Sequence, residues 1–180
     1  MRDRVIFLLA AAVVMAAVFS WPYSRNTEEG RIRTVEEARE AGCVVSENGE
    51  VTSGQEIWAE FYTAVKKGEP ASVRLAGWFD RSFFEGGPVL YIRELVFDGE
   101  VYTLLGGEQE ETYRYLLYFP NEPSGSGASA YECADRYVLT DDAALSWPEI
   151  FKSWFPSMSG NETIRSCEVY TEYVWREEPA

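Results

Sequence analysis

The sequence predicts an α+β domain in which helices pack on one face of an antiparallel sheet of five to six strands. Two observations lead to this fold class. Residues 54–67 show the best amphipathic helix pattern in the chain, and strand-like stretches then follow one another to residue 175. A helix, a short strand and a second helix ahead of a meander of strands are typical of helices segregated to one side of a sheet.

The N-terminus predicts export. Arg2 and Arg4 precede an unbroken apolar run over residues 5–19, which is long for a signal peptide and short of the roughly 20 residues of a membrane span. Residues 1–24 are therefore either a cleaved signal peptide or a retained signal anchor, with membrane contact through residues 5–23 if the segment is uncleaved. Because the positive charges stay inside, the rest of the chain is expected outside the cytoplasm in both cases.

A polar tether over residues 25–33 leads to a single domain over residues 34–180. Residues 34–37 (Thr-Val-Glu-Glu) and 53–56 (Ser-Gly-Gln-Glu) match capping boxes and predict two helix starts. The second helix carries an apolar stripe at i, i+4 spacing that should pack on the sheet. The stripe consists of Ile57, Trp58, Phe61, Tyr62 and Val65.

Residues 47–49 (Glu-Asn-Gly) predict a turn, and Asp98-Gly99 predicts a tight hairpin between two strands. Residues 121–130 predict a loop, and residues 146–149 (Ser-Trp-Pro-Glu) start a third helix that runs to about residue 155. The strand-like stretches are 43–45, 72–79, 89–97, 100–105, 112–119, 131–140 and 164–175.

Composition excludes several classes of function. The chain has no histidine, so it offers no Ser-His-Asp or Cys-His catalysis and no histidine-containing zinc site. Its net charge of −14 repels nucleic acid and gives no polybasic grip on anionic lipid. Three cysteines are too few for a four-thiolate metal site and allow one disulfide or none. No metal or cofactor is expected.

The connection between the strand stretches 72–79 and 89–97 provides the main candidate binding site. Four aromatic residues fall in the connection 77–88, although connections usually run over wet surface. They either fold back onto the core or form a contact patch for an envelope protein or a glycan. The candidate binding residues are Trp78, Phe79, Phe83, Phe84 and Glu85.

Acidic residues suggest a second kind of site. Asp80, Glu85 and Glu94 lie among apolar residues, and two such carboxylates across a cleft could hydrolyse a glycosidic bond. The acidic stretches 107–111 and 141–142 do not match a calcium loop and are interpreted as solvated charge.

Several short motifs follow one another over residues 35–142: Gly-Cys-Val-Val at 42–45, Glu-Gly-Gly-Pro at 85–88, Leu-Val-Phe-Asp-Gly at 95–99, and Cys133 followed by Tyr-Val-Leu-Thr at 137–140. In this order they resemble a family of small exported proteins of Gram-positive bacteria that carry a domain of unknown function. The resemblance implies export and this fold, but no activity. The second cysteine of the family falls at Asp142, which leaves a Cys133–Cys167 disulfide between two predicted strands as a hypothesis.

Two functions remain open from the sequence. The absence of histidine, the acidic surface and the aromatic connection favour a non-catalytic extracytoplasmic binding or interaction module at the cell envelope. The alternative is a cell-envelope glycan hydrolase that uses a carboxylate pair.

Overall fold

The computed structural model describes residues 32–80, 88–107, 109–123, 132–155 and 164–175. In these ranges the chain is mixed α and β, as predicted. The helices are α1 (Val35–Glu40), α2 (Gln55–Lys66) and α3 (Trp147–Ser153). The strands are β1 (Val44–Glu47), β2 (Glu50–Ser53), β3 (Ala71–Phe79), β4 (Val89–Phe97), β5 (Tyr102–Leu105), β6 (Glu111–Tyr113), β7 (Tyr115–Pro123), β8 (Glu132–Thr140) and β9 (Ser166–Trp175).

The described strands form two sheets rather than the one predicted. The larger sheet has six strands, within the predicted five to six, but it is not purely antiparallel. Sheet A has the order β2-β1-β3-β4-β5-β6, and sheet B has the order β7-β8-β9. Sheet A is mixed, because β1 runs parallel to β3, whereas every other pair of neighbouring strands in sheet A is antiparallel.

The division between the sheets falls inside one predicted strand. The stretch 112–119 is interrupted at Arg114, so β6 closes sheet A and β7 opens sheet B. The backbone N–H of Arg114 leaves the ladder and donates to Asp141 Oδ1 at 3.2 Å. A strand that changes sheets keeps its apolar pattern, which is why the sequence reads as one strand.

Helix α2 packs through its predicted stripe. Trp58, Phe61 and Val65 are buried and belong to a core that includes Val73 of sheet A and Tyr170 of sheet B. Phe61 is only 4% exposed, so the predicted packing of this helix on the sheet is confirmed. Ile57 and Tyr62 flank the stripe and are half-buried.

The start of α2 differs from the prediction. Residues 53–56 do not form a capping box: Ser53 ends β2, a strand the sequence analysis missed, and Gly54 occupies the N-cap position in a left-handed conformation at φ 85°. Ser53 Oγ is instead buried, with no hydrogen-bond partner among the described residues. At the start of α1, Thr34 Oγ1 accepts from the Glu37 N–H at 3.1 Å, which is one of the two bonds of the predicted capping box. At the start of α3, Ser146 forms a capping box with Glu149.

The predicted hairpin at Asp98-Gly99 is confirmed, because β4 and β5 pair with Phe97 opposite Tyr102. The connection has four residues, and the Asp98 carboxylate organises it. Asp98 Oδ1 accepts from the backbone N–H of Glu100 at 2.8 Å and of Val101 at 2.9 Å. These bonds, first that from Val101, hold the pKa of Asp98 below its usual range.

The predicted placement of the helices on one face of the sheet is not confirmed. Helix α2 lies on the side of sheet A that carries Val44 and Val73. Helix α1 also contacts β1 and β3, but Arg74, which alternates to the opposite side from Val73, hydrogen-bonds to the carbonyl of Ala41 just after α1.

The predicted signal or anchor segment lies outside the described residues, as does the tether up to residue 31. Among the residues that are described, no helix combines the length and the apolar character needed to cross a bilayer. Export and membrane attachment therefore stay predictions.

Candidate functional site

A cleft of about 320 Å³ lies between one face of sheet A and strand β9 of sheet B. Its floor comes from β1, β3 and β4, and its wall comes from residues 168–171 of β9. At its outer end stand Phe79 and Tyr91, which are each 41% exposed and meet in an edge-to-face contact at 6.1 Å.

Strand register builds the floor. Val44 lies beside Leu75, and Ser46 lies beside Gly77, in the parallel β1–β3 pair. Leu75 in turn lies opposite Arg93, and Gly77 opposite Tyr91, in the antiparallel β3–β4 pair. These side chains therefore share the face that lines the cleft.

Gly77 keeps the middle of the floor open. A Cβ atom at this position would stand 3.4 Å from the Phe79 ring and 3.6 Å from Ser46 Oγ. A glycine inside a strand often marks a place where a ligand or another backbone approaches closely. The missing side chain leaves a gap between Leu75 and Phe79.

The wall of the cleft is the outer strand of sheet B. Because β9 pairs with β8 on one side only, its other edge carries backbone groups without a ladder partner in the described sheet. A register shift between Tyr137 and Val138 leaves Val169 as the extra residue in β9. Thr171 Oγ1 is buried here, with no hydrogen-bond partner among the described residues.

Charge in the cleft is dominated by Arg93. Glu168 is the sole acid among the described lining residues, and its carboxylate is engaged by Arg136 at 2.6 Å. Arg93 forms no ion pair within the described ranges; its guanidinium Nη1 lies 3.6 Å from Cys167 Sγ. Burial raises the pKa of the Cys167 thiol, so the thiol is neutral at neutral pH and does not balance the arginine.

The structure describes two of the four aromatic residues of the predicted patch. Phe79 lines the cleft and is exposed, while Trp78 is half-buried and, by alternation along β3, lies on the other side of sheet A. Phe83, Phe84 and Glu85 lie outside the described residues. Trp78 and Phe79 therefore do not form one patch.

Sequence reasoning missed Tyr91 and Arg93. A signal for them was present, because Tyr91, Arg93, Leu95 and Phe97 follow the period of two and share one face of β4. Leu95 and Phe97 belong to the core. Arg93 shares this face with them but is exposed, at the end of the face where the core gives way to the cleft.

A second polar and aromatic group lies on sheet B. Tyr62, Tyr118, Tyr137 and Tyr170 form a tyrosine cluster, in which Tyr118 stacks on Tyr137 at 4.7 Å. Trp58 stacks flat on Tyr170 at 4.4 Å and ties the cluster to α2.

Two carboxylates border the tyrosine cluster. Asp135 and Glu172 lie directly opposite each other in the β8–β9 pair. Tyr118 donates to Asp135 Oδ2 at 2.8 Å, and Tyr170 donates to Glu172 Oε2 at 3.2 Å. The bond to Asp135 is the main reason that the pKa of Tyr118 is raised.

The acids considered from the sequence do not come together. Glu94 lies opposite Arg74 in the β3–β4 pair. Asp80 follows the end of β3, six residues beyond Arg74, which is about 20 Å along an extended chain. Since glycosidases need carboxyl groups about 5–9.5 Å apart, Asp80 and Glu94 cannot act as such a pair, and Glu85 lies outside the described residues.

The Cys133–Cys167 disulfide is not formed. Cys43 and Cys167 are free thiols. Cys133 pairs with Val174, while Cys167 pairs with Leu139. Six residues of β8 therefore separate the two positions, about 20 Å along a strand, whereas a disulfide needs Cα atoms within about 7 Å.

Within the described ranges, no three or more Cys, Asp or Glu side chains are grouped so that they could hold a metal ion. Comparison with known proteins finds no family model that matches the chain, no similar curated protein and no similar solved structure. The resemblance to small exported Gram-positive proteins therefore rests on its motifs alone and remains a prediction.

Proposed function

We propose that this domain is a non-catalytic binding module at the outside of the cytoplasmic membrane, and that the cleft between sheet A and β9 is its ligand site. The observation that carries the proposal is the cleft itself, an apolar floor with two exposed aromatic side chains at its outer end. Binding sites are typically concave and mainly apolar, with a few polar groups that orient the ligand.

The exposure of Phe79 and Tyr91 supports this proposal energetically. A fully buried large apolar side chain stabilises a fold by about 1.5–3 kcal/mol, and these two forgo part of that gain. A partner that covers them recovers it, and aromatic anchors of this kind tend to dominate interface energetics.

The partner class that fits is an envelope protein or a glycan. Aromatic rings present flat faces to both, and the net charge of −14 disfavours nucleic acid. The predicted N-terminal signal or anchor would place the domain at the envelope. The finer fold prediction, with helices on one face of the sheet, has support from α2 alone.

The test compares two double variants of the whole exported chain. Phe79→Ser with Tyr91→Ser is expected to abolish capture of partners from an envelope extract while the melting temperature stays nearly unchanged. Tyr115→Ser with Phe155→Ser is the matched control, because these rings are similarly exposed, at 40% and 43%, and do not line the cleft.

The proposal fails if the control pair reduces capture as strongly as the cleft pair. It also fails if the cleft pair lowers the melting temperature by many degrees, because the aromatics would then belong to the core. Loss of capture confined to the cleft pair supports it.

The glycan hydrolase remains the second candidate, now with Asp135 and Glu172 as its carboxylate pair. Residues directly opposite in an antiparallel pair have Cβ atoms about 4.5–5.5 Å apart, which is close to the separation used by retaining glycosidases. The neighbouring tyrosine cluster offers rings on which a sugar could stack. If this candidate is correct, wild-type protein releases reducing ends from cell-wall glycan, and both Asp135→Asn and Glu172→Gln abolish the release.

A further inference from the structure

The cleft differs in charge from the rest of the molecule. The chain as a whole carries −14, so most of its surface repels anions. In the cleft, however, Arg93 is a cation, and the carboxylate of Glu168 is already engaged by Arg136. The described lining therefore presents one positive charge that forms no ion pair with an acid of the described chain.

The guanidinium of Arg93 has hydrogen-bonding capacity left. It offers five N–H donors in a planar fork, and a thiol is a weak acceptor. The neighbouring Cys167 Sγ stands 3.6 Å from Nη1. A carboxylate is the group that such a fork binds best, through two parallel charge-assisted hydrogen bonds.

The floor of the cleft next to Arg93 determines the chemistry of the part of the ligand that lies beyond the group bound by Arg93. From Arg93, the cleft runs past Leu75 and over Gly77 to Phe79. Leu75 and Phe79 are four residues apart in β3, which corresponds to about 13 Å. The floor over this distance is apolar except for the uncharged hydroxyl of Ser46 beside Gly77, so it suits a hydrocarbon or aromatic body and offers no partner for a second charge.

We infer that the cleft binds a small carboxylate with an apolar body, with the carboxylate on Arg93 and the body over Gly77 toward Phe79 and Tyr91. This inference rests on the proposed function and specifies its ligand. The same chemistry occurs in a free aromatic or medium-chain acid and in the C-terminal apolar residue of a peptide.

Isothermal titration calorimetry on the full chain tests the inference with matched probes. The free-acid arm compares 4-phenylbutyrate with the uncharged 4-phenylbutanol. The peptide arm compares an acetylated tripeptide that ends in phenylalanine with its C-terminal amide. In each arm the carboxylate is expected to bind about 10- to 100-fold more tightly than its uncharged partner, and this preference should shrink as salt is added.

Variants assign the preference to Arg93. Arg93→Gln should remove it while the uncharged probes bind as before, and Arg93→Lys should restore part of it, because lysine keeps the charge without the fork. Lys67→Gln makes the same change of charge at an exposed position outside the cleft and should change nothing. Gly77→Val should fill the floor and weaken all probes, while valine remains compatible with a strand.

Equal binding of charged and uncharged probes would overturn the inference, as would a preference that survives Arg93→Gln or the absence of any binding. A preference in one arm alone identifies the source of the carboxylate and supports the inference. If the Phe79/Tyr91 double variant loses partner capture while Arg93→Gln retains it, the binding function stands and the carboxylate assignment fails. If the double variant keeps full capture, the proposed function itself fails.

Discussion

Gly54 is a position where a single added methyl group should disturb the fold sharply. It links β2 to α2 in a left-handed conformation, at φ 85°, and its Cα packs directly on β1. A Cβ atom at this position would stand 2.8 Å from Val44 Cα and 2.9 Å from the Cys43 carbonyl oxygen. Val44 is the first residue of β1 and Cys43 directly precedes it. Both atoms belong to the backbone, so no side-chain rotation can relieve the contact.

Gly68 provides a matched control, since it is also left-handed, at φ 72°, but nothing lies within 4 Å of its added Cβ atom. Gly68→Ala should therefore cost only the left-handed strain, about 1–2 kcal/mol. Gly54→Ala carries the same strain and also a displacement of packed backbone, for which overpacking costs of about 1–3 kcal/mol are typical. The total of about 2–5 kcal/mol is a large part of the stability of a domain of this size.

Urea unfolding at 25 °C, followed by circular dichroism, gives both free energies of unfolding. We expect Gly54→Ala to lower the free energy of unfolding by at least about 1 kcal/mol more than Gly68→Ala does. Equal losses in the two variants would refute the reasoning, because the close approach of Gly54 to β1 would then have no energetic consequence.

Three further predictions follow from the described contacts. Arg136→Ala should destabilise the domain by about 3 kcal/mol, because it leaves the partly buried Glu168 without its partner and uncovers Trp147. Arg165→Ala removes one partner of the exposed ion pair with Asp141. In the same urea assay it should lower the free energy of unfolding by less than about 1 kcal/mol. Burial raises the pKa of Tyr102 to about 12, so the fold favours the neutral phenol. The contribution of Tyr102 to the free energy of unfolding should therefore be fully present below about pH 10, the pKa of an unfolded tyrosine. It should fall as the pH rises toward 12. Urea midpoints across that range should show the fall, with a shallower slope in Tyr102→Phe, and an unchanged slope in that variant would contradict the assignment. Titration of the protein, unfolded without reductant, should detect three thiols, and a count of one would show that a disulfide forms after all.

Local sequence determined the elements whose signals are short-range. The apolar stripe of α2, the cap at Thr34 and the Asp98 hairpin each depend on residues within a few positions of one another. Their geometry is set by backbone sterics and hydrogen bonds to near neighbours, so the same pattern gives the same structure in most contexts.

The failed prediction at residues 53–56 shows where this reasoning ends. Residues 53–56 match the sequence pattern of a capping box, yet Ser53 belongs to β2, because pairing with β1 provides hydrogen-bond partners for its backbone. That pairing depends on the turn at Asn48-Gly49, where both residues take positive φ values, and the approach of Gly54 to β1 is a contact across ten residues of chain. A tertiary contact thus overrode a local preference.

The site was decided by tertiary structure. The sequence alone places Arg93 on the same face of β4 as the core residues, but no local signal brings β9 over that face. Nor does a local signal set the β8–β9 register, which pairs Cys167 with Leu139 and so keeps it away from Cys133. These positions follow from strand pairing between distant segments and from the change of sheet at Arg114. The residues of a strand determine which of its faces is apolar, but they do not determine which strand it will pair with. The sequence therefore determined the faces, and only the assembled sheets created the cleft.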